Sequence, residues 1–248
     1  MTMRAEAAGA AARRAYVGGF RAVRAALAGT GLLGWLEARR DSRTRLWLRS
    51  LFAIHDFDDL AGLDLPWWNL AAAEAVERFL AARTGAEVFE YGSGASSLWL
   101  ARRAARVVSV EHDAAWAGPV AARAGAFPNL TLRLVEPARS DRVDAMRSVR
   151  AAPGLDFTAY VRAIEAAGGP FDLVVIDGRC RPQCLRAAVP RLKADGLIVL
   201  DNSRRHRYQA AIARSGLAAR PYYGLAACLP YPDETTLLAR DPDILQGP

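Results

Sequence analysis

From about residue 85 onward the chain alternates short apolar runs with longer stretches in which apolar residues recur every three or four positions. The runs Val88-Phe89-Glu90, Val107-Val108-Ser109-Val110, Leu130-Thr131-Leu132-Arg133-Leu134, Leu173-Val174-Val175-Ile176 and Leu197-Ile198-Val199-Leu200 are short and mostly β-branched or leucine, and they predict five strands. Ala/Arg/Leu helices separate most of them. Such alternation predicts an α/β fold with a mostly parallel sheet covered on both faces, because parallel neighbours need crossover connections. Residues 138 to 168 exceed a simple crossover and predict an irregular loop, then a helix from Phe157 to Ala167 closed by Gly168-Gly169-Pro170. Beyond Leu200 the pattern predicts a helix around Tyr208 to Ser215 and two further strands near Arg220 to Tyr223 and Thr235 to Leu238.

Residues 1–84 read as a helical N-terminal extension or cap, and 85–248 as the main domain. In the extension Tyr16, Phe20, Val23 and Leu27 share one helical face, with Arg14 and Arg21 roughly opposite. That face suits an anionic membrane surface or a partner, or else a helix laid over the main domain. Gly18-Gly19 weaken a free-standing helix and favour the second reading. Leu65-Pro66-Trp67-Trp68-Asn69 then opens a helix running to about Ala82.

A net charge of +7 suggests a nucleic-acid partner until it is located along the chain. Residues 1–50 carry ten Arg against Glu6, Glu37 and Asp41, which accounts for the whole excess and leaves the remainder neutral. Nucleic acid is therefore not the expected partner. Three cysteines, Cys180, Cys184 and Cys228, make no disulfide framework and fit a reducing, cytoplasmic setting. No apolar run is long enough to cross a bilayer, and the Arg-interrupted N-terminus does not read as a signal peptide, so neither a membrane span nor secretion is predicted.

The chemistry begins where Val88-Phe89-Glu90 runs into Tyr91-Gly92-Ser93-Gly94 and then Ala95-Ser96-Ser97, a strand, a glycine turn and a new helix. Bare glycines let a ligand approach the backbone. A dinucleotide loop, a plain tight turn and an S-adenosylmethionine (AdoMet) loop all share that feature. Glu90 distinguishes them, because an acid ahead of the glycines would repel a pyrophosphate but can pair with the methionine ammonium of AdoMet. The dinucleotide pattern also wants a glycine where Ser97 stands. Glu111 ends the second strand nineteen residues after Gly92, where an acid can accept hydrogen bonds from both ribose hydroxyls.

Taken together, Glu90 to Gly94 and Val107 to Asp113 (VVSVEHD) resemble the first and second motifs of the class I AdoMet-dependent methyltransferases, and the resemblance spans roughly residues 86 to 240. The strings FEYGSGASSLWLA, FDLVVIDGR and IVLDNS, with PWW at 66–68, YYGLA and ETTLLAR, resemble a bacterial branch of that superfamily. The resemblance implies a Rossmann-like seven-stranded sheet of order 3-2-1-4-5-7-6 with an antiparallel seventh strand. It also implies AdoMet as cofactor, with Tyr91, Ser93, Ser97, His112 and Asp177 joining Glu90, Gly92, Gly94 and Glu111 around it.

Asp177 follows the fourth predicted strand and Asp201-Asn202 the fifth, and in an open α/β sheet those ends face the ligand crevice. The set is similar to that of catechol-type O-methyltransferases, which implies Mg²⁺ or another divalent cation on Asp177, Asp201 and Asn202. Such an ion would acidify an acceptor hydroxyl. The alternative is local, with Asp177 capping the helix near Pro182 and Asp201-Asn202 forming a turn. Arg179 and Arg181 can clamp an acidic substrate group, or simply be surface residues of an Arg-rich chain. Asp177 is the candidate catalytic residue, with His206 as the base if no metal binds; His112 falls in the cofactor motif, and His55 carries no assignment. Trp67, Trp68, Tyr222 and Tyr223 are candidate walls of the substrate pocket, with plain core packing as the alternative.

The resulting expectation is methyl transfer from AdoMet to a hydroxyl of a small-molecule or sugar-like acceptor, assisted by Mg²⁺ where the metal binds. The alternatives are an N-methyltransferase, or a nucleic-acid methyltransferase using the Arg-rich arm. A homodimer and peripheral membrane contact are both compatible with the sequence.

Overall fold

The central strands of the main domain send alternate residues to two opposite cores, and this parity builds the molecule. The computed structural model describes residues 18–20, 22–27, 29–38, 42–54, 56–148 and 151–246. Its strands are β1 (Glu87–Tyr91), β2 (Arg106–Glu111), β3 (Leu130–Leu134), a two-residue pair β4 (Ala138–Arg139) and β5 (Leu155–Asp156), then β6 (Phe171–Ile176), β7 (Leu192–Asp201), β8 (Ala218–Gly224) and β9 (Asp233–Ala239). Val88, Leu173, Val175, Leu197 and Val199 face one core together with Leu98 and Trp99. Phe89, Tyr91, Val174, Ile176, Ile198 and Leu200 face the other, with Tyr160, Ile164 and Leu185. Strands buried on both sides need mostly apolar side chains, and all six residues of β6 are buried, Asp172 among them paired with Lys193. Each fully buried Val, Leu, Ile or Phe contributes about 1.5–3 kcal/mol.

The sheet order is β3-β2-β1-β6-β7-β9-β8, with β4 and β5 forming a separate ribbon. With that ribbon set aside, it is the predicted 3-2-1-4-5-7-6. β9 runs antiparallel to both β7 and β8, as predicted for the seventh strand. The helix predicted from Phe157 to Ala167 is shorter: an α-helix covers Thr158–Arg162, and a 3₁₀ turn at Glu165–Ala167 replaces its end. β7 starts earlier than its apolar run suggests, because its first residues extend beyond the core, leaving Ala194 and Asp195 exposed.

The extension joins the first of these cores. Ala53, Ile54, Leu60, Trp68 and Val76 belong to the cluster that includes Val88 and Leu98. Phe20 lies partly buried against it, with its ring 5.9 Å from that of Phe52, whereas Val23 of the same predicted face is exposed; Arg14, Tyr16 and Arg21 lie outside the described residues. Buried Arg49 ties three segments together, reaching Asp59 at 2.6 and 2.9 Å and Glu37 at 2.6 Å. Asn69 caps the helix Leu70–Ala81 by accepting from Ala71 and Ala72, and its side-chain amide donates to the Asp233 carbonyl at 3.3 Å. No helix among the described residues is long and apolar enough to cross a membrane.

Candidate functional site

β1 and β6 are parallel neighbours from which the sheet grows in opposite directions, toward β2 on one side and β7 on the other. Loops leaving such a pair diverge and open a crevice at the carboxyl ends of the strands. A cleft of about 790 Å³ occupies that place. Gly92, Ser93 and Gly94 line it after β1, Glu111 to Asp113 after β2, Asp177 to Arg179 after β6, and Asp201 and Asn202 after β7. The extension completes the wall with Ile54, Phe57, Leu60 and Trp67, and the segment before β9 adds Leu229 and Tyr231.

The two glycines of the turn serve different purposes. Gly92 has φ +93°, and a Cβ there would meet the backbone N and Cα of Gly178 at 2.7 Å. Gly178 is in turn packed under the Tyr160 hydroxyl, which a Cβ would strike. Gly92 is bare so that two loops of the protein can touch, which corrects the expectation that its missing side chain serves a ligand. Gly94 is extended, and a Cβ there would find only Ser96 Oγ at 3.9 Å, so its missing side chain leaves open space on the cleft wall.

Glu90 does not line the cleft. It is fully buried and accepts hydrogen bonds from Ser96 Oγ at 2.5 Å, Ser97 Oγ at 2.5 Å and Ser109 Oγ at 2.6 Å. Burial pushes its carboxyl up to about 7 despite these three donors. It fastens the start of the helix Ala95–Ala101 to β2 from beneath. Tyr91 and Ser97 are likewise interior: Tyr91 donates to the Val161 carbonyl at 2.6 Å, and Ser97 Oγ accepts from Gly94 N at 3.0 Å. The sequence predicts all three to be cofactor contacts, whereas the structure places them one layer behind the cleft wall.

Glu111 reaches the cleft while almost covered. One carboxylate oxygen accepts from Ser93 N at 2.9 Å and Ser93 Oγ at 3.2 Å; the other accepts from His112 N at 2.7 Å and Asp113 N at 3.0 Å. His112 Nδ1 stands 2.6 Å from that second oxygen, off the line of a hydrogen bond. Burial pushes Glu111 up, but the His112 ring and the two backbone amides more than offset it and hold the carboxylate below its ordinary range. Arg179 Nε donates to His112 Nε2 at 3.1 Å. Trp116 closes this corner, donating from Nε1 to the Ser93 carbonyl at 2.7 Å.

Asp177, Asp201 and Asn202 are brought together as predicted, but with a cation of the protein's own among them. Buried Arg181 donates to Asp177 Oδ1 at 2.6 Å and to the Asp201 backbone carbonyl, and lies 3.6 Å from Asp201 Oδ2. Asn202 donates to Asp201 Oδ2 at 2.6 Å and Asp233 Oδ2 at 2.9 Å, while Thr235 donates to Asp201 Oδ1 at 2.7 Å. A guanidinium already neutralises the carboxylates, and Asn202 offers its amide hydrogens rather than its oxygen, so the set does not fit a divalent cation. No metal-ligating cluster occurs among the described residues. Nor does Asp177 cap the following helix, whose N-cap is Cys180. Burial and the neighbouring Asp177 charge push Asp201 up to about 8. The pair with its single arginine can therefore take up a proton near neutrality.

The remaining assignments divide. Trp67 and Arg179 line the cleft. Trp68 is fully buried edge-on to Trp99, at 5.8 Å between ring centres, because its side chain fills the core under the sheet. Tyr222 packs on the same core and Tyr223 is exposed beneath Arg204, so neither tyrosine walls the cleft. His206 is exposed at the first turn of the helix His206–Arg214 and does not line the cleft, which removes it as a base there. His55 lies outside the described residues. Trp116, Arg205 and Tyr231 escaped the sequence reading. The polar Ser109 inside an otherwise apolar strand was a usable signal for the support under Glu90.

No family model and no curated protein matches the sequence. Solved structures do align. TrmN from Thermus thermophilus matches over 75% of this chain and 52% of its own, at 19% identity and a TM-score of 0.50. A methyltransferase-like protein from Silicibacter pomeroyi matches over 74% and 95%, at 23% identity and a TM-score of 0.45. Precorrin-6y C5,15-methyltransferase from Geobacter metallireducens matches over 68% and 88%, at 16% identity and a TM-score of 0.45. The sheet order and the alignment with TrmN together give this chain the Rossmann-like methyltransferase fold.

Proposed function

We propose that the chain is an AdoMet-dependent methyltransferase acting on a hydroxyl of a small-molecule or sugar-like acceptor. The observation that carries this reading is the pairing, in one cleft, of open backbone at Gly94 with a carboxylate at Glu111 held in its ionised form. Open backbone suits the methionine portion, an acceptor-only carboxylate suits the ribose hydroxyls, and the flat Trp116 indole beside it suits an adenine. Glu90 supports the loop through its serines instead of meeting the methionine ammonium. AdoMet supplies the methyl group as an electrophilic sulfonium.

Methylating a hydroxyl releases one proton. Asp177 is the residue to receive it, since it lines the cleft, keeps a quarter of its side chain accessible and belongs to a pair able to hold a proton near neutrality. Arg181 fixes that carboxylate by contacts to both its side chain and its backbone carbonyl at 2.6 Å.

Calorimetry with AdoMet on the wild type, Glu111→Ala and Gly94→Ala checks the reading. The wild type is expected to bind, and both variants to bind at least tenfold more weakly. Gly94→Ala is expected to keep its melting temperature, because its Cβ meets no protein atom closer than 3.9 Å. A wild type that ignores AdoMet, or two variants that bind it undiminished, would sink the proposal.

A further inference from the structure

Beside the cleft, across Gly178, lies a second cavity of about 120 Å³. Arg147, Arg179, Arg205 and Arg207 line it, together with Arg181 and Tyr208. Arg181 is engaged by Asp177 and Asp201. The other four have no carboxylate partner among the described residues: Arg147 donates to the carbonyls of Ser140 and Arg142, Arg179 to His112, and Arg205 and Arg207 lie 3.5 and 3.2 Å from the Tyr208 hydroxyl. Four like charges around one small concavity repel one another unless an anion sits between them. Their field already reaches Tyr208, where burial pushes the phenol up and Arg181, Arg207 and Arg205 more than reverse it.

We infer that this cavity binds a phosphate monoester group carried by the acceptor substrate. Guanidinium forks match phosphate oxygens, and a dianion answers four positive charges better than one carboxylate does. The volume is ample for one such group. Gly178, Arg179, Arg181 and Arg205 line both cavities, so a phosphate held here leaves the rest of its carrier facing Asp177. The acceptor role rests on the methyltransferase reading; the anion site does not.

The test is titration of the full chain with inorganic phosphate, followed by calorimetry, beside AdoMet titrations of the same samples. The wild type is expected to bind phosphate, with sulfate competing and acetate failing to compete. Arg147→Ala/Arg207→Ala, altering two exposed residues, is expected to lose at least tenfold in phosphate affinity while keeping its AdoMet affinity and its melting temperature without phosphate. Arg207→Lys, which keeps the charge and loses the fork, is expected to fall between. Should AdoMet bind while phosphate binding is absent or unmoved by the double variant, the inference is overturned and the methyltransferase reading stands. Phosphate binding lost as expected in a chain that ignores AdoMet would keep the anion site and remove the acceptor role. Tighter capture of an oligonucleotide without terminal phosphates, through the same arginines, would also overturn it.

Discussion

At the residue scale, Glu90 shows how a carboxylate can brace a cleft wall without facing the cleft. An unfolded glutamate loses its proton near 4.5, whereas burial holds the folded one up to about 7. The folded chain thus keeps a proton that the unfolded chain has released, so this residue's contribution to stability is complete below about 4.5 and is lost as pH rises through about 7. A shift of that size corresponds to ~3 kcal/mol. Glu90→Gln has no proton to lose, and urea denaturation at pH 5 and pH 8 is expected to show the variant gaining on the wild type by up to that amount; parallel pH profiles would refute it. The sequence made Glu90 visible as an acid before a glycine turn but did not show which way it points. Its direction depends on Ser96, Ser97 and Ser109, and only the last of these, a polar residue in a buried strand, differs visibly from its surroundings.

At the scale of elements, what was legible follows from burial. Strands covered on both faces are mostly apolar, so β1, β2, β6 and the core of β7 stand out in the sequence. The β4–β5 ribbon did not, being two exposed or half-buried residues per strand with no apolar pattern. Cleft walls were hardest to read, since Ile54, Trp116 and Tyr231 meet only through the tertiary fold. Asn69 is the junction that brings one of those walls into place. Leu70 N donates to the Leu225 carbonyl at 2.9 Å and Ala227 N to the Trp68 carbonyl at 3.0 Å, with the Asn69 side chain capping the helix and holding Asp233. Asn69→Ala is expected to cost about 1–2 kcal/mol in denaturant titrations and to speed amide exchange across residues 226–233. Asn69→Asp restores the cap but not the donor to Asp233, so it should recover most of the stability and little of the protection. Equal protection in all three proteins would remove Asn69 from this role.

At the scale of the whole molecule, the boundary read near residue 85 separates compositions rather than cores. Ile54, Leu60 and Val76 share a single apolar cluster with Val88, Leu98 and Leu173, so the extension and the sheet should unfold together. Trp35, Trp47, Trp67 and Trp68 report on the extension, whereas far-UV circular dichroism weights the sheet and its helices. Thermal curves from the two probes are expected to coincide, and an earlier fluorescence transition would mean that the extension melts alone. The contact of Gly92 on Gly178 has its own consequence at this scale. It packs the loop after β1 against the loop after β6 that borders the arginine cavity, so neither can slide past the other. The span between the two cavities is then set when the chain folds, and on the two readings proposed above it predicts a ruler: acceptors are expected to be sorted by the length between their phosphate and their reacting hydroxyl.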